Sequence, residues 1–440
     1  MKKGIIIVLA ALLTGSAAFA QEEKPSHFKL YGFIRHYLTA DTRAVNAGTE
    51  DLYFYMPKDL SMSDLGDMNA GLNWRFVSLT TRLGLDVSGY KIGTMGVSGK
   101  VEADFYNLSS AVPILRLRQA FIKLNWDNVP LALTIGQTWH PMAADMPHMN
   151  NLETGAPFNP FNRSPQLTLD WSVGGGFGIM ASLLYLNHYL PTGPAGKSKD
   201  YYKYGIPEAY LGVYFKNKHF LAKAGVDMVN LKPVEYVGYN KKDDVLDETA
   251  LVRGYTIDKK IAKASGFLTT VSPFVFLQYT NGLFQLRAKA ILAQSGEHMN
   301  LLSGYGYASL DDVNYRYTYT PMQDLASFVS FCYGKKFQVL GMLGYMKQLG
   351  TTQDLAGALW LNSAADTRVQ QAFRATPTVA WNIGKFTVSL EYNYTMAEFG
   401  NSKAAGFDAD AKRNVRGLYQ AGDTHWVHNH RFICMTKFTF

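Results

Sequence analysis

Apolar and polar side chains alternate with a period of two along most of the chain, in about sixteen segments of roughly ten to sixteen residues. In Lys385 to Thr395, Phe386, Val388, Leu390, Tyr392 and Tyr394 alternate with Lys385, Thr387, Ser389, Glu391 and Asn393. One face of such a strand suits lipid and the other suits water. The connections alternate between short and long. Trp126 to Pro130, Gly174 to Gly176, Lys216 to Lys218, Thr280 to Gly282, Gly334 to Lys336 and Asn382 to Lys385 are tight and rich in turn formers. Thr42 to Asn73, His140 to Ser164, Leu231 to Ser265, Glu297 to Met322 and Glu398 to His428 are long and rich in Gly, Asn, Asp and Pro. The pattern predicts an all-β chain: a transmembrane antiparallel up-and-down β-barrel with short periplasmic turns and long extracellular loops.

Composition narrows the setting. Charged residues make up 18% and aromatics 14%, with 27 Tyr and 26 Phe. That is fewer charges than the quarter or so of an ordinary soluble domain and enough rings for girdles around a lipid-facing band. Mean hydropathy is nevertheless close to zero, at −0.10. A barrel averages out in this way; a bundle of membrane helices does not.

At the start, Lys2-Lys3, the apolar run Ile5 to Leu13 and Ala18-Phe19-Ala20 form a signal peptide with cleavage expected after Ala20. The apolar run is about half the length a spanning helix needs. Residues 1–20 are thus expected to be a cleavable signal and 21–440 one barrel domain, placed in the bacterial outer membrane. The first strand, Phe28 to Thr39, begins too close to the cleavage site for an N-terminal plug. The two cysteines, Cys332 and Cys434, lie within strands and are read as unpaired. The net charge of +8 falls to +6 without Lys2 and Lys3, too little and too scattered for a nucleic-acid partner.

Strand parity then assigns candidate pore-lining residues. Arg35 opposes Leu30, Ile34 and Leu38, and Arg82 opposes Val77, Leu79, Leu83 and Leu85. Arg116 and Arg118 oppose Leu115, Leu117 and Phe121; Arg287 and Lys289 oppose Leu286, Ala288 and Ala290; Arg374 opposes Phe373 and Ala375. A charge on the lipid face costs about 2–4 kcal/mol at the midplane, so these residues are assigned to the lumen. Asp86, Glu102, Asp104, Asp170, Glu208, Asp227 and Glu391 share it. One arrangement is a salt-bridged lining; another is a wall of arginines facing a wall of acids, a transverse field that favours anions. The proline-bearing connection near 140–164, with Asp145, Glu153 and Arg163, is expected to fold inward as a constriction.

The chain resembles the DcaP-like outer-membrane porins and their relatives in the Bacteroidota. The resemblance rests on Leu30-Tyr31-Gly32-Phe33-Ile34-Arg35, Thr80-Thr81-Arg82-Leu83-Gly84-Leu85-Asp86, Arg116-Leu117-Arg118-Gln119-Ala120-Phe121, Gly136-Gln137-Thr138-Trp139 and the terminal Phe440. It covers the first 170 residues or so closely and the rest as pattern. It implies a sixteen-stranded trimer with an inward loop, arginines in the channel and small anionic solutes.

The expected partners are outer-membrane lipid and lipopolysaccharide, the barrel-assembly machinery through Phe440, two further copies of the chain, and small hydrophilic or anionic solutes. No cofactor is expected and no metal site is assigned. His425, His428 and His430 are loosely spaced, and Asp243-Asp244 and Asp311-Asp312 lack further fixed ligands. A phospholipase-like barrel enzyme would need a serine and a histidine with an orienting partner; no such pairing is visible, so the chain is not expected to be an enzyme. An adhesive or structural surface barrel is the other alternative.

Overall fold

The computed structural model describes residues 27–440 apart from 108–111, 204–205, 235, 240–259, 265, 312–315, 363–365, 367 and 403–412. The signal peptide, Asp243-Asp244 and Asp312 therefore lie outside the described residues.

Sixteen strands close into one antiparallel barrel. They are β1 (Phe28–Arg43), β2 (Ala70–Val77 continued by Arg82–Ile92), β3 (Met95–Tyr106), β4 (Ile114–Trp126), β5 (Leu131–Trp139), β6 (Arg163–Gly174), β7 (Phe177–Leu184) and β8 (Glu208–Lys216). They continue as β9 (Phe220–Leu231), β10 (Leu268–Asn281), β11 (Phe284–Gln294), β12 (Arg316–Gly334), β13 (Phe337–Thr351), β14 (Val369–Ala375 continued by Thr378–Ile383), β15 (Phe386–Gly400) and β16 (Thr424–Thr439). Each pairs with the next, and β16 closes on β1 from Phe33 opposite Thr439 to Asp41 opposite Arg431. No sheet edge is left for lipid to meet. At the seam the backbone N–H of Phe440 donates to Gly32 O at 3.1 Å. A Cβ on Gly32 would lie 2.6 Å from the Phe440 ring, so this glycine makes room for the terminal aromatic.

Exposed apolar side chains cover the outer wall, among them Leu30, Leu183, Leu211, Leu277, Leu343, Leu390 and Phe432. An apolar surface of this extent is stable only against lipid or another apolar wall. Rings gather at the short-turn end, where Phe177 packs on Phe215 at 4.8 Å and Phe220 on Tyr279 at 5.0 Å between centroids. Both cysteines are free.

Parity breaks in β2 where its two halves join, and the register shifts again between Val87 and Tyr90. Tyr37 pairs with Val77 and Phe33 with Arg82, so five residue steps in β2 face four in β1. The extra residue falls in Ser78–Thr81, where Thr80 has a φ of 69°. A bulge of one residue exchanges inside for outside. Val77 and Leu79 therefore point inward, where Leu79 packs with Tyr37, Leu152 and Ile433, and not outward as strict alternation predicts. Arg82 still faces the lumen, because the bulge precedes it.

Candidate functional site

Three of the long connections fold into the barrel. The connection between β5 and β6 buries Met142, Ala156, Phe158 and Phe161; the hairpin Val45–Gly48 with Tyr53–Pro57 buries Phe54, Tyr55 and Met56; the single turn Gly296–Met299 is buried throughout. They meet in one apolar cluster inside the wall. Only the first of them was expected to turn inward.

Wall residues hold these loops by their polar groups. Arg374 on β14 is fully buried: it donates to Thr395 Oγ1 at 2.9 Å, to Glu153 Oε1 and Ala156 O at 2.9 Å, and to Tyr55 O at 2.7 Å. Its guanidinium lies over Phe54 and Phe158. Lys289 donates to Met142 O and Asn159 Oδ1, both at 2.8 Å, and Arg287 to Met146 O at 2.6 Å. Lys223 pairs with Asp145 at 2.7 Å. Glu391 accepts the backbone N–H of Asn150 at 2.5 Å and the Thr378 hydroxyl at 3.1 Å. Gly344 on β13 is what lets Phe158 lie against the wall, since a Cβ there would meet the ring at 2.6 Å. In this connection burial, and then the charge of Arg287, hold the His148 imidazole down at about 4.

Arg287, Lys289, Arg374 and Glu391 turn inward, and each is held by atoms of the inward loops. Glu208 on β8 and Asp227 on β9 are likewise buried against loop histidines. His140 Nε2 lies 2.6 Å from Glu208 Oε1, and His298 Nε2 lies 3.1 Å from Asp227 Oδ2. The acidic half of the expected transverse field is therefore absorbed: Glu208, Asp227 and Glu391 are covered by loops, not open to the lumen. Sequence reasoning missed this quartet because its members are up to 158 positions apart and two of them sit in loops.

The basic half is different. Arg118 reaches Glu102 and Asp104 at 2.8 Å each, Arg116 reaches Asp104 at 2.8 Å, and Arg82 stands 3.7 Å from Glu102 and 3.9 Å from Asp104. Glu102 also accepts the Tyr31 hydroxyl at 3.0 Å. Among the described residues the Arg35 guanidinium meets the Thr80 hydroxyl, at 2.8 Å and 3.1 Å, and the faces of Phe33 and Tyr37. Lys437 pairs across the seam from Arg35. Arg163 lies over Trp139 and Phe161, and its Nη1 has no hydrogen-bond partner among the described residues. Arg118 shares the same indole, 5.8 Å from its centroid. Arg82, Arg116 and Arg118 thus surround two carboxylates of β3, with Arg35, Arg163 and Lys437 as further cations on this side of the barrel. Arg82 and Arg116 keep 19% and 22% of their side-chain surface open. Asp86 lies apart, paired with Lys100 at 3.1 Å.

The terminal histidines do not converge. His425 bonds Asp59 and Asn401, whereas His428 and His430 face Tyr394 and Tyr392 on the other side of the strand. The bulge brings together one pair that sequence did not reveal: His36 Nδ1 lies 2.8 Å from Ser78 Oγ on the outer wall. No carboxylate or amide orients the other ring nitrogen among the described residues, which a hydrolase dyad would need.

No family model matches the chain, and no curated protein matches it in sequence. Solved structures match its fold. The outer membrane channel DcaP of Acinetobacter baumannii is 17% identical over 96% of this chain and 100% of that one, with a TM-score of 0.64. The anion-selective porin from Comamonas acidovorans is 10% identical over 94% and 99%, with a TM-score of 0.52. At these identities the likeness is one of fold, the closed sixteen-stranded barrel of outer-membrane porins.

Proposed function

We propose that the chain is a DcaP-like porin of a Gram-negative outer membrane, of the Bacteroidota type, that lets small hydrophilic solutes diffuse passively and favours anions. The observation that carries the reading is the excess of six cationic side chains over two carboxylates on one stretch of inner wall. Fixed cations in a channel walled by low-dielectric protein raise the local concentration of anions and lower that of cations. Stacking on Phe33 and Tyr106 steadies the guanidiniums of Arg82 and Arg116, whose part-open side chains can pair with carboxylate or phosphate oxygens. The two structural neighbours named above, a channel and an anion-selective porin, agree with this reading.

In this account residues 1–20 are removed on export, Phe440 is read by the barrel-assembly machinery, and the apolar wall meets lipid, lipopolysaccharide and two further copies of the chain. The 140–162 connection narrows the lumen, and Arg82, Arg116 and Arg163 stand at its basic side. The His36–Ser78 pair does not compete as an enzyme site, for want of an orienting group. The test is swelling of liposomes that carry the purified protein, with organic solutes matched in size. Faster entry of mono-anions than of neutral and cationic analogues is expected. Equal rates for all three would remove the anion preference, and no swelling at all would remove the channel.

A further inference from the structure

Glu208, Asp227, His140 and His298 form a closed group with no side-chain exposure, where β8 and β9 meet two inward loops. Two carboxylates buried together need compensating positive charge. The two imidazoles can supply it as imidazolium ions, or a bound cation can. His140 Nδ1 accepts the backbone N–H of Met142 at 3.1 Å, so its proton is on Nε2, donated to Glu208 at 2.6 Å. His298 Nδ1 lies 3.3 Å from Ser295 O and donates there, which turns the lone pair of Nε2 toward Asp227. With a single ring proton on Nδ1, the Nε2 lone pair faces the Asp227 carboxylate at 3.1 Å, so either a second ring proton or a metal ion lies between them. Glu208 Oε2 and Asp227 Oδ1 are buried and have no hydrogen-bond partner.

We infer that His298, Glu208 and Asp227 bind a divalent transition-metal ion of the zinc type, with His140 as the residue that positions Glu208. The distances separate the two imidazoles. Ligand atoms around a tetrahedral ion with bonds of about 2.0–2.1 Å stand roughly 3.3 Å apart. His298 Nε2 lies 3.1 Å from Asp227 Oδ2 and 3.7 Å from Glu208 Oε1, on either side of that value. His140 Nε2 is 2.6 Å from Glu208, too close for two ligands of one ion and right for an N–H donor. Ring centroids 6.5 Å apart also keep the two imidazoles from sharing an ion without moving. The Ser295 carbonyl behind His298 is the outer-shell acceptor that fixes a ligating tautomer. One imidazole with two carboxylates suits zinc and its neighbours better than calcium or magnesium.

The ion would act as a staple. His298 lies in the turn whose backbone receives Asn162 and whose neighbour Met299 accepts Phe161 N–H at 2.9 Å, so it ties the constriction connection to the wall. Untagged protein purified folded from membranes is expected to carry about one equivalent of zinc or a similar metal per chain by elemental analysis. Protein refolded with chelator and then given Co²⁺ should show the visible absorption of a low-symmetry cobalt site, saturating at one equivalent. His298→Ala should abolish that signal. His140→Ala should keep the stoichiometry with about 10–100-fold weaker affinity. Metal-free wild-type protein that also shows no cobalt absorption on refolding would overturn the site, whatever the variants do. Retention of the signal by His298→Ala, with its loss in His140→Ala, would overturn the ligand assignment.

Discussion

Replacing Arg374 by Met should loosen the inward loops more than any other single change. The side chain is fully buried and ties the wall, the β5–β6 connection and the first hairpin through Thr395, Glu153, Ala156 and Tyr55. Its loss leaves Glu153, itself without exposure, as an unpaired buried carboxylate. Breaking a buried pair from one side costs about 3–5 kcal/mol. The loops can relieve that cost by swinging out into water, so it should appear as a shifted loop equilibrium. At about 1.4 kcal/mol per tenfold, the open arrangement gains roughly 100-fold or more. Removing both charges, with Arg374→Met and Glu153→Leu together, takes away the stranded ion. What remains is the loss of neutral acceptors, about 1 kcal/mol each. Single-channel recordings should then show larger and noisier conductance for Arg374→Met, largely restored in the double variant. Urea midpoints in detergent should follow the same order. A single variant that behaves like wild type, or a double variant worse than the sum of the singles, would refute the claim that this pair fastens the loops.

Arg82→Ser combined with Arg116→Ser should move the reversal potential toward cation selectivity. The shift should be clearest near 0.01 M salt, where screening extends to about 30 Å, and an unchanged potential there would make the arginines structural lining. Gly344→Ala should push Phe158 off the wall, destabilise the barrel by about 1–3 kcal/mol as overpacking does and lower the urea midpoint; an unchanged midpoint would mean the contact is loose. The His148 imidazole, held down at about 4 against an ordinary 6.5, favours the folded loop above pH 6.5, and that contribution is lost as pH falls toward 4. Proteolytic nicking within 140–162 should therefore increase over that window in wild type and not in His148→Gln.

Period-two alternation made the barrel legible, because a wall one residue thick between lipid and lumen writes its two environments on alternate positions. It placed Arg35, Arg82, Arg116 and Arg118 inward for the same reason. It failed at Leu79, where one extra residue shifts the parity and nothing in the local composition marks the bulge. It could not tell that Lys289, Arg374, Glu208 and Glu391 would be covered, since an inward side chain reads the same whether it meets water or a loop. The run Phe54-Tyr55-Met56 in a connection otherwise rich in polar residues was the available sign that the first loop also turns inward. The His298, Asp227 and Glu208 group had no such sign, being assembled only by closure of the barrel.

Selection of the permeating charge by fixed cations on the inner wall is open to a direct test. Its most direct measurement is the reversal potential of the purified protein in a planar bilayer under a tenfold KCl gradient at low ionic strength. A potential displaced toward the chloride equilibrium value, and reduced as salt is raised, is expected. A potential displaced toward the potassium value, or one near zero at every salt concentration, would contradict it.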